Sequence, residues 1–468
     1  MGYARAVEHT LEPGGTLPAR LEARSGSIRA PCLIVALDGA RPLDAPSRYW
    51  LNDADEVSIG RSDRTLSAEH QIYQARLRLR LRLPDALVSA RHAAVRREGG
   101  AWAIEDQRST NGTLVNGAAV ERAVLADGDV IAIGGTFLVF RDVALPKRLE
   151  PSGLDDLARR PEGIRTMSPE LECRFADLAS AARSVSSIVI LGQTGTGKER
   201  VAQAVHELSE RREGPFVAIN CASIPASLIE GELFGHAKGA FTGATHDREG
   251  LIAAAEHGTL FLDEIGELPL TMQASLLRVL ESGEVRPLGA TRSRRLDLRV
   301  VVATNRDLPA MVAKGEFRDD LWARLNGFTL QLPALRNRRE DMGLLLSSLL
   351  LRRGPRALRP LSREAAAALF THEWPFNIRE LDKVIEYALA LSATSEIGID
   401  ALPPTVLRAP AAPEQALRRE LLERLHKHGG NVAEVAREMG KHRQQVQKWC
   451  KRLQIDVDAM RPRRPDRL

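Results

Sequence analysis

The sequence predicts three folded regions of different class: a β-sandwich, an α/β domain with a mostly parallel sheet, and a small all-α domain at the C-terminal end. The length of 468 residues exceeds what one hydrophobic core usually supports and predicts two to four domains. An apolar fraction of 44% with 27% charged residues is ordinary for a folded chain. The hydrophobic periodicity changes twice along the chain, which separates the three regions.

Composition also bears on the compartment. No apolar run approaches the roughly 20 residues that a membrane-spanning helix needs, and the N-terminal segment MGYARAVEHTLEPGG lacks the apolar core of a signal peptide. We therefore expect a cytoplasmic protein. The four cysteines lie far apart without Cys-x-x-Cys spacing, which favours buried thiols over disulfides or a metal site. They are Cys32, Cys173, Cys221 and Cys450.

Each region has its own pattern. Residues 30–142 contain short alternating segments such as RLRLRLRLP and WAIED, separated by turn signals, and this pattern predicts the sandwich. Residues 143–163 are rich in proline and charge, as in a linker. From 164 to about 405, apolar strands such as SSIVIL and GTLFLDEI alternate with amphipathic stretches, which predicts the α/β domain. Residues 416–455 read as helices.

A phosphate-binding loop is predicted directly after the strand SSIVIL and before the helical pattern RVAQAVHEL. Glycines let backbone N–H groups wrap phosphates, the helix N-terminus adds its dipole, and Lys198 neutralises phosphate oxygens. Glu199 stands where the general motif has the Ser or Thr that touches Mg²⁺. The predicted ATP-binding residues are Gly192, Gln193, Thr194, Gly195, Thr196, Gly197, Lys198 and Glu199.

Two later strands end in polar residues suited to phosphoryl transfer. Asp263 and Glu264 close the first, where Asp263 is expected to hold Mg²⁺ through water and Glu264 to polarise the attacking water. Thr304 and Asn305 close the second and are candidates to sense the γ-phosphate. Together with the loop, they predict an ATPase that uses ATP and Mg²⁺.

Two arginines, Arg318 and Arg324, lie six residues apart in FRDDLWARL. Each is a candidate finger that reaches the site of a neighbouring subunit, a role that requires a ring. Surface ion pairs are the alternative.

The segment ELFGHAKGAFTGA lies between the phosphate-binding loop and the strand that ends in Asp263 and Glu264, and it places an apolar loop between glycines. With INCASIP, VVATNRDL and WPFNIREL, it makes residues 164 to about 405 closely similar to the bacterial enhancer-binding proteins, AAA+ activators of sigma-54 RNA polymerase. The resemblance implies an α/β ATPase core over 164–335, a helical lid over 336–405, and a homo-oligomeric ring, which is a hexamer in the family's manner. The family commonly has Glu at the position of Glu199.

The same resemblance assigns roles by position. The sigma-54 contact loop is Gly239, Ala240, Phe241, Thr242, Gly243 and Ala244, with Phe241 and Thr242 at its tip. Asn220 is expected to pair with Glu264, Arg379 to act as a second sensor on the lid, and the two arginines named above to act in trans. Phe376, Ala253 and His257 depart from the family's usual residues.

The C-terminal end is basic: residues 412–468 hold 14 Lys or Arg against 8 Asp or Glu. A break at Gly440 between two short helices resembles the Fis-type helix-turn-helix, and implies binding to upstream enhancer DNA. A helical cap without DNA contact is the alternative. The predicted DNA-binding residues are His442, Arg443, Gln444, Gln445 and Lys448.

The sandwich carries the motifs IGR, SARH and STNGT in an order that resembles forkhead-associated domains, which bind phosphothreonine. Arg61, Ser89 and Thr110 are then expected to contact phosphate, Asn111 and Asn116 to contact the peptide, and His92 to brace the loops. The long stretch between Arg61 and Ser89 predicts a hairpin that alters peptide choice or packs on the ATPase. A sandwich that only mediates contacts is the alternative.

The interpretation that unites these features is a sigma-54-dependent activator whose ATPase is regulated by a phosphothreonine protein or its Ser/Thr kinase. Binding of the phosphopeptide either relieves inhibition or drives ring assembly. Two other classes remain: a scaffold or repressor with an idle ATPase, which the intact Lys198, Asp263 and Glu264 disfavour, and an AAA+ machine with another target, which GAFTGA disfavours.

Overall fold

The computed structural model describes residues 28–146, 149, 154–407 and 421–457, apart from positions 53, 64, 74, 75, 185, 226, 227, 241–243, 393, 422, 423, 426, 429, 442, 453, 454 and 456. Among these residues, no helix has both the length and the apolar character that crossing a bilayer requires. All four cysteines are buried free thiols.

The N-terminal region is a sandwich of two six-stranded sheets, as its alternating pattern predicts. Its strands are β1 (Ile28–Asp38), β2 (Ser47–Trp50), β3 (Glu56–Arg61), β4 (Ser67–Tyr73), β5 (Arg76–Leu83), β6 (Ala93–Glu98), β7 (Ala101–Asp106), β8 (Thr113–Val115), β9 (Ala118–Val120), β10 (Arg122–Leu125), β11 (Val130–Ile133) and β12 (Thr136–Leu145). The first sheet has the order β2-β1-β12-β11-β8-β9 and the second β10-β7-β6-β3-β5-β4. Leu33 and Phe140 of the first sheet meet Val57 and Leu79 of the second in the sandwich core.

The central region is an α/β domain. Its helices are α1 (Leu154–Arg159), α2 (Pro169–Ala182), α3 (Lys198–Leu208), α4 (Ile229–Phe234), α5 (Leu270–Ser282), α6 (Leu308–Ala313) and α7 (Asp319–Leu325). Its strands are β13 (Ile188–Leu191), β14 (Phe216–Asn220), β15 (Gly235–His236), β16 (Arg248–Glu249), β17 (Thr259–Asp263), β18 (Glu284–Val285), β19 (Arg294–Arg295), β20 (Arg299–Thr304) and β21 (Phe328–Gln331). The main sheet is parallel throughout, in the order β14-β17-β20-β13-β21. This arrangement brings the carboxyl ends of β13, β17 and β20 to one edge.

Two helical regions follow. The lid contains α8 (Met342–Arg352), α9 (Arg363–Thr371), α10 (Asn377–Leu391) and α11 (Pro404–Leu407), and the C-terminal region contains α12 (Val432–Glu438) and α13 (Arg443–Arg452). Trp374 is fully buried in the lid core. The segment 143–163 is not the plain linker that its composition predicts, because β12 runs to Leu145 and α1 lies within it.

The outer face of the first sheet packs on the ATPase rather than facing solvent. Leu37 and Phe137 share one hydrophobic cluster with lid residues, and the ring of Phe137 stacks on that of Phe370 with centroids 4.7 Å apart. Helix α8 approaches β1 so closely that a Cβ on Gly343 would lie 2.0 Å from the carbonyl oxygen of Ala36. We call this surface the docking face. The predicted hairpin forms as β4 and β5, but it belongs to the other sheet.

Two buried ion pairs cross the docking face. The Arg48 guanidinium of β2 lies 2.5 Å from the Glu172 carboxylate of α2 and also donates to the carbonyl oxygen of Met167. The Arg141 side chain of β12 pairs with Glu340, just before α8. The sandwich therefore touches both the ATPase core, through α2, and the lid, through α8 and α9.

Candidate functional site

The phosphate-binding loop lies between β13 and α3, as predicted. Gly195 and Gly197 adopt positive φ, which favours glycine, so the loop can curl tightly before the helix begins at Lys198. The Lys198 ammonium donates to the carbonyl oxygen of Gly192 at 3.1 Å and pairs with Glu264 at 3.3 Å. The loop, the N-terminus of α3 and Lys198 together form a site suited to an anion.

The two carboxylates lie opposite this lysine at the end of β17. Burial raises the pKa of Asp263, and Lys198 opposes this effect. Glu264 has a positive φ of 53° and accepts a hydrogen bond from the Asn305 backbone at 3.2 Å. The expected pair between Asn220 and Glu264 is not formed in this structure. The Asn220 side-chain oxygen caps the next turn by accepting from the Ala222 backbone at 2.9 Å.

The end of β20 completes this edge of the sheet. Thr304 is fully buried, and its hydroxyl accepts from the backbone of Arg306 at 3.0 Å. The Asn305 amide donates to the hydroxyl of Thr194 in the phosphate loop at 3.2 Å. Because Asn305 contacts both the loop and Glu264, it is placed to respond to a change at the phosphates.

The lid closes the site through two residues whose contacts the sequence motifs do not predict. Asn377, buried at the start of α10, donates to the carbonyl oxygen of Thr194 at 3.0 Å and accepts from Leu335 at 2.8 Å. Arg338 is buried and donates to the carbonyl oxygen of Thr196 at 2.6 Å. Asn377 stands in the quoted WPFNIREL segment, but Arg338 carries no local signal. Both residues tie the phosphate loop to the lid.

A cavity of about 620 Å³ lies between the phosphate loop and the lid. Glu199, the carboxylates and Arg379 of α10 line it, so the loop, the end of β17 and the lid meet as the sequence predicts. Arg318 and Arg324 are not among the residues that line it. Arg318 pairs with Asp320 at 2.6 Å, and Arg324 donates to the carbonyl oxygen of Leu280 at 3.0 Å.

The predicted sigma-54 contact loop is described only at its base. Gly239 has positive φ, and its N–H donates to the carbonyl oxygen of Ala244 at 2.9 Å, which brings the two ends of the loop together. Ala240 packs beside Gly289. The tip residues Phe241, Thr242 and Gly243 lie outside the described residues.

The sandwich gathers its three predicted phosphate-contacting residues at one end. Arg61 is exposed at the end of β3, and its backbone N–H donates to the carbonyl oxygen of Ser89 at 3.0 Å. The Ser89 hydroxyl lies 3.4 Å from that of Thr110 and accepts from the Thr110 backbone at 3.1 Å. One cation and two hydroxyls at this spacing suit a phosphate.

The two asparagines are placed differently. The Asn111 amide donates to the carbonyl oxygen of Leu87 at 2.7 Å, beside the cluster. Asn116 uses both ends of its carboxamide within the domain, donating to Asp129 at 2.8 Å and accepting from Val130 at 3.0 Å. Asn116 thus braces its own turn, where it adopts positive φ.

Buried residues hold these loops. His92 is fully buried; its Nδ1 accepts from the Ser89 backbone at 3.0 Å and its Nε2 lies 3.2 Å from the carbonyl oxygen of Gly112. Burial lowers the pKa of His92. Asp106 accepts from Ser109 at 2.8 Å and from Thr113 at 2.7 Å. The geometry of His92 suits the bracing role expected of it, whereas Asp106 was missed.

The C-terminal helices pack through a small apolar cluster that includes Val435, Val446 and Cys450. Asn431 caps α12, and Gly440 has the positive φ that lets the chain turn before α13. Four of the predicted DNA-binding residues are exposed on α13, and His442 lies outside the described residues. The four are Arg443, Gln444, Gln445 and Lys448.

Comparison with known proteins agrees with this division. The family model of the Sigma-54 interaction domain matches residues 164–331, that of the FHA domain residues 57–134, and that of the AAA+ ATPase lid domain residues 336–419. The transcriptional regulatory protein GlrR of Escherichia coli is 43% identical over 328 residues, which are 67% of this chain and 73% of that protein. The regulatory protein AtoC of the same species is 47% identical over 246 residues, covering 52% of this chain and 53% of AtoC.

Solved structures were also compared. NtrX from Brucella abortus in complex with ATP is 30% identical, covering 62% of this chain and 69% of that one, with a TM-score of 0.47. An FHA domain from a study of phosphothreonine-dependent FHA interactions is 34% identical, covering 24% of this chain and 99% of that one, with a TM-score of 0.18.

The parallel sheet, phosphate loop and lid define an AAA+ ATPase, here joined to an FHA sandwich. The matched share and identity of GlrR, together with the Sigma-54 interaction domain, then decide the family. The chain belongs to the sigma-54-dependent transcriptional activators, whose implied partner is sigma-54 RNA polymerase.

Proposed function

We propose that this chain hydrolyses ATP to remodel sigma-54 RNA polymerase and open promoter complexes, under control of a phosphothreonine peptide that binds the sandwich. One observation carries the proposal: the Lys198, Asp263 and Glu264 side chains converge beside a cavity closed by the lid, and the sandwich packs on that same lid. Catalysis, polymerase contact and regulation then act through adjoining parts of one chain.

The chemistry follows from the contacts. Lys198 would exchange Glu264 for phosphate oxygens, which would release the Glu264 carboxylate to polarise the attacking water. Asn305, hydrogen-bonded to both Thr194 and Glu264, would register the γ-phosphate, with Thr304 supporting it. Arg379 would contact the nucleotide from the lid.

Mg²⁺ suits the residues present, because it prefers oxygen ligands and Asp263 offers a half-buried carboxylate beside Lys198. Asp263 would hold it, through water as in the family, while the Glu264 carboxylate faces the phosphate loop. When bound, Mg²⁺ neutralises charge on the transferring phosphoryl group.

Assembly as a ring, in the family's manner a hexamer, would place Arg318 and Arg324 in the neighbouring subunit's site. Both side chains are held by partners outside their own nucleotide cavity, with Arg318 on Asp320 and Arg324 on the carbonyl oxygen of Leu280. A cation supplied from a neighbour would stabilise the transferring phosphoryl group only in the assembled ring.

The contact with sigma-54 is assigned to the loop whose base is pinned by Gly239 and Ala244. Phe241 and Thr242 would form its tip. The resemblance assigns Asn220 to couple this loop to the nucleotide through Glu264. The amide N–H groups of Asn220 would donate to that carboxylate, while its side-chain oxygen accepts from Ala222.

Regulation is assigned to the other end of the sandwich. Arg61, Ser89 and Thr110 would bind the phosphate, with Asn111 beside them for the peptide. The docking face of the same sandwich packs on the lid through Leu37 and Phe137. Occupancy of the phosphate site would therefore act on the lid through the sandwich.

DNA binding is assigned to a Fis-type helix-turn-helix, with α13 as the recognition helix in the major groove of enhancer DNA. Support comes from the exposed Arg443, Gln444, Gln445 and Lys448 and from the turn at Gly440. Arginine and glutamine can read base edges, and lysine can bind phosphate. His442 is included on sequence grounds.

The test is open-complex formation at a sigma-54 promoter with the native chain and Thr242→Ala, with ATP hydrolysis measured in parallel. We expect the native chain to open the promoter, and Thr242→Ala to lose opening while it still hydrolyses ATP. Lys198→Ala is the matched control that should lose both activities, with hydrolysis down by about a hundredfold or more. A native chain that hydrolyses ATP with phosphopeptide present but never opens the promoter would contradict the proposal.

A further inference from the structure

The strand RLRLRLRL forms a basic groove on the exposed face of the second sheet. Its leucines Leu79 and Leu81 are buried in the sandwich core, so the arginines between them point outward. A cavity of about 420 Å³ lies on this face, and five arginines with one glutamate line it. The arginines are Arg78, Arg80, Arg82, Arg91 and Arg96. We call this cavity the arginine groove.

The floor of the groove is made of small residues. Ser58 and Gly60 of β3 lie opposite Arg80 and Arg82 of β5, and Ala94 of β6 lies opposite Ser58 on the other side. Long arginine side chains of β5 and β6 therefore lie on both sides of β3, whose residues Ser58 and Gly60 are small. These arginines do not protect an open sheet edge, because β4 and not β5 is the edge strand.

Charge in the groove is only partly compensated. Glu56 lies 3.0 Å from Arg78 and 3.6 Å from Arg96, and Arg96 also pairs with Glu105. Within the described part of the chain, no carboxylate forms an ion pair with Arg80 or Arg91. A guanidinium presents a planar fork that matches a carboxylate, so these two arginines are suited to acidic side chains.

The groove is continuous with the phosphate cluster. The Arg82 guanidinium donates to the carbonyl oxygen of Ala90 at 2.9 Å, and Ala90 lies between Ser89 of the phosphate cluster and Arg91 of the groove. A Cβ on Gly60 would lie 2.1 Å from the same carbonyl oxygen. Glycine at this position thus lets the Ser89 loop rest on β3, where the two sites meet.

We propose that the arginine groove binds acidic residues that flank the phosphothreonine, and so selects peptides phosphorylated in an acidic context. This inference rests on the phosphopeptide function proposed above and specifies its ligand. The groove runs along β3 between the Ser89 loop, which rests on Gly60, and the paired Glu56 carboxylate. Its length is at most about 13 Å at the usual rise per strand residue, which accommodates no more than about four residues of extended peptide. Its continuity with the phosphate cluster through Ala90 favours a peptide that reaches both sites over a DNA duplex.

The test uses the full chain and two nine-residue peptides with a central phosphothreonine, one with glutamate and one with glutamine at all other positions. Fluorescence anisotropy at low salt should give about tenfold tighter binding of the glutamate peptide, with the preference shrinking as salt rises. Arg80→Gln should reduce the preference to about twofold, and Ser58→Asp, which puts a carboxylate on the floor, should abolish it. ATP hydrolysis checks that each variant is folded.

Arg97→Gln is the matched control, because Arg97 is exposed on β6 next to Arg96 but is not among the groove-lining residues. It should keep the full preference. Equal affinities of the native chain for the two phosphopeptides, or a preference that persists in Arg80→Gln, would overturn the groove proposal while the phosphopeptide function stands. Failure of both phosphopeptides to bind would overturn both. Loss of affinity for a random DNA duplex in Arg80→Gln, with no difference between the peptides, would also overturn the groove proposal.

Discussion

Strands β1 and β5 belong to the same sandwich, yet they differ in how many of their faces are buried. In β1, Leu33 and Val35 enter the sandwich core while Ile34 and Ala36 pack against the ATPase. In β5, alternate leucines are buried and the intervening arginines are half-exposed. A continuous apolar run predicts a strand covered on both faces, and a strict alternation predicts one face in contact with solvent. The first sheet thus attaches the sandwich to the ATPase, and the second sheet faces outward.

The largest expected effect comes from a cavity in the docking face. Phe137→Ala removes a ring that is buried and stacked on Phe370 of the lid. We expect a loss of about 3–5 kcal/mol in the free energy of unfolding of the unit that contains the sandwich and lid. Calorimetry and urea denaturation measure this change.

Val124→Ala is the control for this substitution, because Val124 lies on the second sheet and is 61% exposed. It should change the free energy of unfolding by no more than about 0.5 kcal/mol. Similar small losses for both variants would show that the sandwich does not rest on the lid in solution.

The ion pairs on the two sheets differ in burial, so removing one carboxylate from each should have different costs. Glu172→Gln leaves the Arg48 guanidinium, which is 1% exposed, without its buried carboxylate. Removing one partner of such a pair costs about 3 kcal/mol or more, because the remaining charge stays desolvated. Glu105→Gln breaks the pair with Arg96, whose side chain is 36% exposed, and should cost less than about 1 kcal/mol.

Thermal unfolding of the two glutamine variants, at low and at high salt, checks this difference. The Glu105→Gln effect should vanish at high salt because solvent ions screen an exposed pair, whereas the Glu172→Gln effect should persist. Equal costs at low salt would contradict the burial that distinguishes the two sheets.

Much of the nucleotide site was predictable because its residues stand in short local motifs at strand ends. A parallel sheet brings such ends to one edge, so Lys198, Asp263 and Asn305 meet although they are far apart in sequence. The contacts of Asn377 and Arg338 with the phosphate loop depend on how the lid folds back, and no local pattern encodes that.

The docking face had a signal that the sequence analysis did not use. CLIVAL is apolar at every position and TFLVF at every position after its threonine, whereas a strand with one exposed face would alternate, as β5 does. Arg48 had no signal, since an arginine in a short strand usually faces solvent and this one is buried by a helix more than a hundred residues later. The burial of both faces of these strands was therefore predictable from the sequence, whereas the ion pairs across the docking face were not.

The smallest expected effect concerns the end of the sandwich where both sheets meet the phosphate cluster. Burial lowers the pKa of His92; the Gly112 carbonyl, Asp106 and Asp85 oppose this, while Arg363 of the lid adds to it. Well above pH 6.5 the ring is neutral in both the folded and unfolded states. As the pH falls below that value, the unfolded chain binds the proton first, so the free energy of unfolding decreases through the folded-state pKa. A protonated Nδ1 also cannot accept from the Ser89 backbone, so the phosphate cluster should loosen in acid.

Nuclear magnetic resonance of histidine-labelled protein measures this titration directly. The phosphopeptide is left out because its phosphate group itself titrates near pH 6. The His92 signal, identified by its loss in His92→Gln, should titrate below pH 6.5. A midpoint at or above 6.5 for His92 would mean that the ring is hydrated or paired with an acid. The Ser89 loop would then not be held by a buried, neutral imidazole.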